Sequence, residues 1–188
     1  VPDVVALDIE TTGLYPHLGD RICEIALLKF RQGEIARRLV TLVNPEREIS
    51  FSAQIINGIT ASMVRTAPTF REIVGAVLSF IRDETLLIHN ARFDLAFLKV
   101  QTQACGQEFP VTRLVDTLYL ARRFFRFESN SLADLAHRFG IRQAKAHRAE
   151  SDAMTAFLLF REFYRTLREN DVPDDEIFSD SSRIDTGI

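Results

Sequence analysis

Four carboxylates and one histidine mark the places where this chain could do chemistry. Asp8 and Glu10 stand two residues apart in the apolar, β-branched run from Val4 to Glu10. On a strand, that spacing sends both side chains to one face, while Leu7 and Ile9 point to the other. Two carboxylates on one face repel each other, and a divalent cation between them relieves the repulsion. Alone the pair says little, since about one Asp-x-Glu arises by chance in a chain of this length.

A second group is His89-Asn90-Ala91-Arg92-Phe93-Asp94. A short apolar strand ends in a polar pair, and the helix that follows carries Asp94 in its first turn. Asp is also an ordinary helix-start residue, favoured there by the helix dipole. Phe93 reads equally well as core, and His89 as a hydrogen-bonded residue at a strand end. The third group is His147-Arg148-Ala149-Glu150-Ser151-Asp152. Asp152 lies among Ala149, Ala153 and Ala156 on the inward side of a helix, where an unpartnered carboxylate is costly. His147 precedes that helix in a loop, with Arg142, Lys145 and Arg148 around it. A helix-start charge cluster with a surface histidine has the same appearance. Taken together, Asp8, Glu10, Asp94, Asp152 and His147 sit at strand ends or on inner helix faces. Oxygen ligands so arranged suit a two-metal site, and the chemistry of such sites is in-line phosphoryl displacement.

The elements that must position these residues follow from periodicity. Val4 to Glu10, Ile22 to Phe30 and Ile35 to Val43 read as three strands of a meander, with Arg31 to Glu34 as a hairpin turn. Phe70, Ile73, Val74, Val77, Leu78 and Ile81 have helical spacing. Thr85 to His89 is a short buried strand, and a helix runs from Asn90 to about Ala104. Leu114 to Asp116 is a further strand, followed by a helix to Phe125. Ser131 caps a helix that stops at Gly140. A last helix runs from about Arg148 to Leu167. Paired strands followed by alternating strands and helices indicate an α/β domain, a mixed sheet flanked by helices.

Composition limits the alternatives. The chain has 188 residues, 46% hydrophobic and 26% charged, enough for one domain with a real core. Its only cysteines are Cys23 and Cys105, which excludes a disulfide scaffold and a cysteine-built zinc site. No apolar run approaches the ~20 residues that span a bilayer, and no signal peptide is visible. The chain begins at Val1 without a Met, as in a processed form or a piece of a longer protein. The net charge of −3 is unevenly spread. Residues 169–188 hold seven acidic residues and one basic residue, Arg183, a net −6 that leaves +3 on residues 1–168. The division expected is a catalytic domain over 1–168 and an acidic tail or linker over 169–188. That tail reads as solvated chain, or as a segment competing with a polyanion for a basic groove.

Leu7-Asp8-Ile9-Glu10-Thr11-Thr12-Gly13-Leu14, then His89 to Asp94, then His147 five residues before Asp152, resemble the three motifs of the DEDDh 3′–5′ exonucleases. The similarity is greatest to the proofreading, epsilon-subunit type of bacterial DNA polymerase III, and it spans about residues 3 to 165. It implies an RNase H-like exonuclease fold with a five-stranded mixed sheet. It implies two divalent cations, Mg²⁺ or Mn²⁺, held by Asp8, Glu10, Asp94 and Asp152, with His147 as general base. It also implies that Thr11 and Phe93 contact the terminal nucleotide, and it gives Asp116 a supporting role behind the ligands. In Ile56-Asn57-Gly58-Ile59, Asn57 stands where the family type has histidine on the substrate side; an amide donates a hydrogen bond but carries no charge. Arg142, Lys145 and Arg148 become candidate phosphate contacts. The implied reaction removes nucleoside 5′-monophosphates from the 3′ ends of single-stranded or frayed DNA. Its setting is cytoplasmic and off the membrane, beside a polymerase or further domains of a longer chain. The alternatives are an RNA-trimming exonuclease of the same superfamily and a non-catalytic nucleic-acid-binding module, which would lack at least one ligand.

Overall fold

Strand β1 (Val4–Thr11) carries Asp8 and Glu10 and lies at the centre of the sheet in the computed structural model, which describes residues 1–110, 112–144, 146–184 and 186. Lys145 and Asp185 lie outside the described residues. β1 pairs antiparallel with β2 (Ile22–Arg31), and β2 with β3 (Glu34–Leu42). The β2–β3 turn takes positive φ at Gln32 and Gly33 (51° and 85°), the conformation of a tight two-residue hairpin. On the other side β1 pairs parallel with β4 (Thr85–Ile88), and β4 with β5 (Arg113–Asp116). The expected mixed sheet is present, with one addition. Ser179–Asp180 forms β6, antiparallel to β5, so the sheet has six strands in the order β3-β2-β1-β4-β5-β6 rather than five.

The helices are α1 (Phe51–Asn57), α2 (Ala61–Val64), α3 (Phe70–Ile81), α4 (Ala91–Ala104), α5 (Thr117–Phe124), α6 (Leu132–Arg138), α7 (Ala149–Glu169) and α8 (Asp174–Ile177). Alternation along β1 divides the core in two. Val5, Leu7 and Ile9 pack with residues of α3 and α4, including Val77, Ile81, Leu95 and Leu98. Val4 and Ala6 face the opposite layer, where Ala153, Phe157 and Phe160 of α7 meet Leu120 of α5 and Leu135 of α6. Asp8 and Glu10 continue the Val4–Ala6 face, so they emerge under the start of α7.

The chain after residue 168, read from sequence as tail or linker, adds packed structure. α8 and β6 lie against β5, and Ile177, Phe178 and Ser181 are buried. Two features drive this. β5 would otherwise present an open edge, and Ser181 exchanges hydrogen bonds with the backbone of Thr112 across it (both 2.9 Å). The acidic residues also meet arginines of the body, in Arg113–Asp174, Arg123–Glu176 and Arg168–Asp174 pairs of 3.3–3.4 Å. Such exposed pairs contribute little each, so the two apolar residues carry most of the docking. Among the described residues, no helix is long and apolar enough to cross a membrane.

Phe178 packs edge-on to Phe160, with the Arg113 guanidinium 3.8 Å from its ring centroid. Phe178→Ala should cost about 3 kcal/mol. In a chain of this size that is about 6–12 °C in Tm. A melting temperature equal to wild type would show that the segment after residue 168 is only loosely docked.

Candidate active site

β1 and β4 are in ladder register only at Val5–Leu86 and Ala6–Leu87. Beyond Ala6 the two strands part, and the start of α4 fills the gap. Asp94 sits there, 4% exposed, and its Oδ1 accepts the Ile9 N–H at 3.2 Å. A backbone donor released by the splaying of the sheet thus orients a carboxylate beside Asp8 and Glu10.

Asp116 fixes the approach of α4. Its Oδ1 accepts the N–H groups of Asn90 (3.0 Å) and Leu118 (2.9 Å), and its Oδ2 accepts that of Ala91 (3.0 Å). One carboxylate therefore caps α5 and also ties down the turn into α4, where Asn90 takes a left-handed φ of 70°. Asp116 thus joins two helix starts, and its charge contributes to raising the Asp94 pKa. His89 shares a 2.9 Å hydrogen bond between Nδ1 and the Thr117 hydroxyl, and burial lowers its pKa. It is the hydrogen-bonded strand-end residue that its position suggests.

α7 delivers the last carboxylate. Asp8, Glu10 and Asp152 can each bring a carboxylate oxygen within 4.8 Å of the others. Gln143 donates to Asp152 Oδ1, and the His147 N–H donates to Oδ2 at 3.2 Å. His147 itself is exposed, on a backbone held at φ 56°. The cluster is strongly self-repelling. Burial, then the charges of Asp94, Asp152 and Glu10, raise the Asp8 pKa well above its ordinary value. Burial and the charges of Asp152 and Glu24 push Glu10 up to about 8. Asp94 is raised by burial against its hydrogen bonds, and Asp152 by burial against Gln143 and His147. Hard oxygen donors, crowded and short of positive charge, fit divalent cations.

The expected nucleotide contacts divide into two groups. Phe93 is partly buried against Phe97 and lines a hollow of 350 Å³ with Tyr15, Asn90 and Arg92. Thr11 is 8% exposed and its hydroxyl donates to the Gly13 carbonyl at 2.6 Å. Asn57, expected on the substrate side, is buried. It is 4% exposed, donates to the Thr11 carbonyl at 3.3 Å and accepts the Ile59 N–H at 2.9 Å. Its amide also lowers the Glu10 pKa through a side-chain hydrogen bond. α1 ends at Asn57, and Gly58 at φ 69° turns the chain so that the amide faces inward. Arg148, expected at a phosphate, instead grips Glu24, which is 3% exposed. Glu24 went unrecognised in the sequence because an acidic residue on an alternating strand carries no local signal.

The Exonuclease family model matches residues 5–160. The DNA polymerase III subunit epsilon of Treponema pallidum (strain Nichols) is 38% identical over 158 residues, covering 82% of this chain and 73% of that protein. The 3′-5′ exonuclease DinG of Bacillus subtilis (strain 168) is 32% identical over 170 residues, 90% of this chain but 18% of its own length. The chain therefore spans less than a fifth of that relative. The structure of Exonuclease X in complex with 5′ overhanging duplex DNA matches with a TM-score of 0.70 and 25% identity, over 93% of this chain and 96% of that one. The nuclease domain of 3′hExo, a DEDDh family member bound to rAMP, shares the fold at a TM-score of 0.75 and 18% identity, over 87% and 92%. With Asp8 and Glu10 on the central strand, and Asp94 of α4 and Asp152 of α7 brought beside them, the chain belongs to the Exonuclease family and shares the fold of these nucleases.

Proposed function

We propose that this domain removes nucleoside 5′-monophosphates one at a time from the 3′ ends of single-stranded or frayed DNA, in a proofreading or repair setting. The observation that carries the reading is the convergence of Asp8, Glu10 and Asp152 within 4.8 Å, with Asp94 at the strand gap beside them. These four residues would hold two divalent cations, Mg²⁺ or Mn²⁺. Such cations, when bound, act as Lewis acids at the phosphodiester and at water.

The chain's own residues supply the rest. His147 is solvent-facing, and its backbone is tied to Asp152, so its imidazole can swing over the cluster without losing its anchor. It takes the proton from the attacking water, a task to which an imidazole is suited. Phe93 and Thr11 flank the terminal nucleotide. Asn57 serves the pocket from behind, holding the Thr11 carbonyl and the Glu10 carboxylate. Arg142 is a candidate for backbone phosphate. The cations relieve repulsion that the metal-free site must bear, so binding and stability are linked.

The primary test is cleavage of end-labelled single-stranded DNA and RNA of equal sequence, with and without Mg²⁺. DNA should shorten from its 3′ end only with metal; faster loss of RNA would transfer the substrate to the ribonucleotide class. Asp8→Asn should abolish cleavage, because an amide binds hard cations poorly, and should leave the metal-free melting temperature equal or higher. A near wild-type rate in that variant would remove the metal-site assignment. His147→Ala should lower the single-turnover rate about 10²–10⁴-fold with metal binding retained. An unchanged rate across pH would take His147 out of the mechanism.

Stability should also report the cluster. Glu10 moves from 4.5 to about 8 on folding, so the native state holds a proton that the unfolded chain releases between those values. Its contribution is fully present below pH 4.5 and is lost as pH rises through about 8. In chelator, the melting temperature should therefore fall across this window, and Glu10→Gln should flatten the fall. An identical slope in the two proteins would show that Glu10 is not the group responsible.

A further inference from the structure

Glu24 lies on β2 directly across the ladder from Glu10, so its side chain emerges on the same face as the cluster. A fifth carboxylate there raises the pKa values of Asp8, Glu10 and Asp152. Packing alone gives no reason for a charge at this place, since an amide of the same shape would relieve the repulsion. What an amide lacks is a second acceptor oxygen. Glu24 uses both. Oε1 takes the Arg148 Nε–H at 3.1 Å together with an Nη2–H, and Oε2 takes the Arg148 Nε–H at 3.0 Å and the Ala149 N–H at 3.0 Å. The second of these satisfies one of the free donors at the start of α7.

The grip closes a ring around His147. The Arg148 side chain is fixed to β2, and its carbonyl accepts the Asp152 N–H at 3.0 Å. The Asp152 carboxylate in turn accepts the His147 N–H at 3.2 Å. His147, at a φ of 56° that side-chain-bearing residues rarely adopt, is therefore bracketed by two anchors, one on β2 and one on Asp152. We infer that Glu24 and Arg148 form a positioning pair, which sets the distance of the His147 backbone from the Asp8–Glu10 strand and acts on cleavage through His147. Neither residue touches the reacting atoms. The inference rests on the exonuclease reading and on His147 as base.

The test is a double-mutant cycle on the full chain with single-stranded DNA and Mg²⁺. Single-turnover rate, reaction amplitude and melting temperature are measured for wild type, Glu24→Gln, His147→Ala and the double variant. Glu24→Gln should slow the rate about 10–100-fold, the usual effect of losing a group that orients a site residue. Amplitude and KM should hold, because each folded molecule still binds DNA. In the His147→Ala background, Glu24→Gln should change the rate by no more than about twofold, since the residue it acts through is gone. A wild-type rate in Glu24→Gln, a loss confined to amplitude, or a full multiplicative loss in the double variant would each overturn the inference. Should Glu24→Gln melt below the assay temperature, Arg148→Lys carries the same cycle, as it keeps the charge and loses the fork at a partly exposed side chain. Absence of metal-dependent cleavage in wild type would instead bring down the functional reading itself, and a wild-type rate in His147→Ala would remove His147 as base and this inference with it.

Discussion

Mutual repulsion among carboxylates is the constraint on which this structure turns. Asp8, Glu10, Asp94 and Asp152 are brought close together in a setting that removes much of their hydration, and every one of them has its pKa raised. Left to itself such a cluster would spread apart or take up protons. It holds because each carboxylate rides on an element committed elsewhere. β1 is locked between β2 and β4 with apolar residues on both faces. α4 is buried through Leu95, Phe97 and Leu98, and α7 through Phe157, Phe160 and Phe163. The hydrophobic layers on the two faces thus oppose the electrostatic cost at the end of the central strand.

Local hydrogen bonds then convert gross placement into orientation. The sheet splits beyond Ala6, which frees the Ile9 N–H for Asp94. Asp116 fastens two helix starts at once, and Asn57 braces the back of the Thr11–Glu10 segment. These groups share one property. Each is polar, largely out of solvent contact or held by several partners, and consumed by bonds within the protein. The Asn57 amide donates to the Thr11 carbonyl and accepts the Ile59 N–H. In place of the open substrate-side position its sequence suggested, Asn57 is buried behind Thr11.

Legibility in the sequence followed the range of the signal. Long periodic elements were readable: α3, α4 and α7 fall within a residue or two of their expected bounds, and Ser131 caps α6 with its side chain as expected. The Asp8–Glu10 face followed from strand alternation alone. Some short elements lacked such a signal, although β4, β5 and α6 were marked by an apolar run or a capping serine. α1, α2 and α8 are four to seven residues long, too short for a period to register. β6 is two residues whose only stabilising signal is the edge of β5, a partner more than sixty residues away. The acidic segment read as tail because composition reports average polarity. Ile177 and Phe178, two apolar residues in that stretch, meet a surface that only the folded sheet creates. Glu24 was hidden for the same reason, since its role exists only once β2 lies beside β1 and α7 lies across both.

The contrast between His147 and the carboxylates fits the roles proposed for them, general base and cation ligands. A cation ligand must be rigid, because its oxygen has to meet a fixed geometry, and Asp94 and Asp152 are each pinned by backbone N–H groups. A general base must move its proton between solvent and the reacting water, so its ring cannot be buried in the same way. The structure separates the two demands within one short segment. The backbone from His147 to Ala149 is held at both ends, the His147 N–H by Asp152 and the Ala149 N–H by Glu24 Oε2, while the imidazole stays exposed. Anchoring the main chain and leaving the side chain free gives one loop both the fixed distance and the mobile proton acceptor that the proposed mechanism requires. A glycine or a long linker at this place would give mobility without the distance, and a buried histidine would give distance without the exchange.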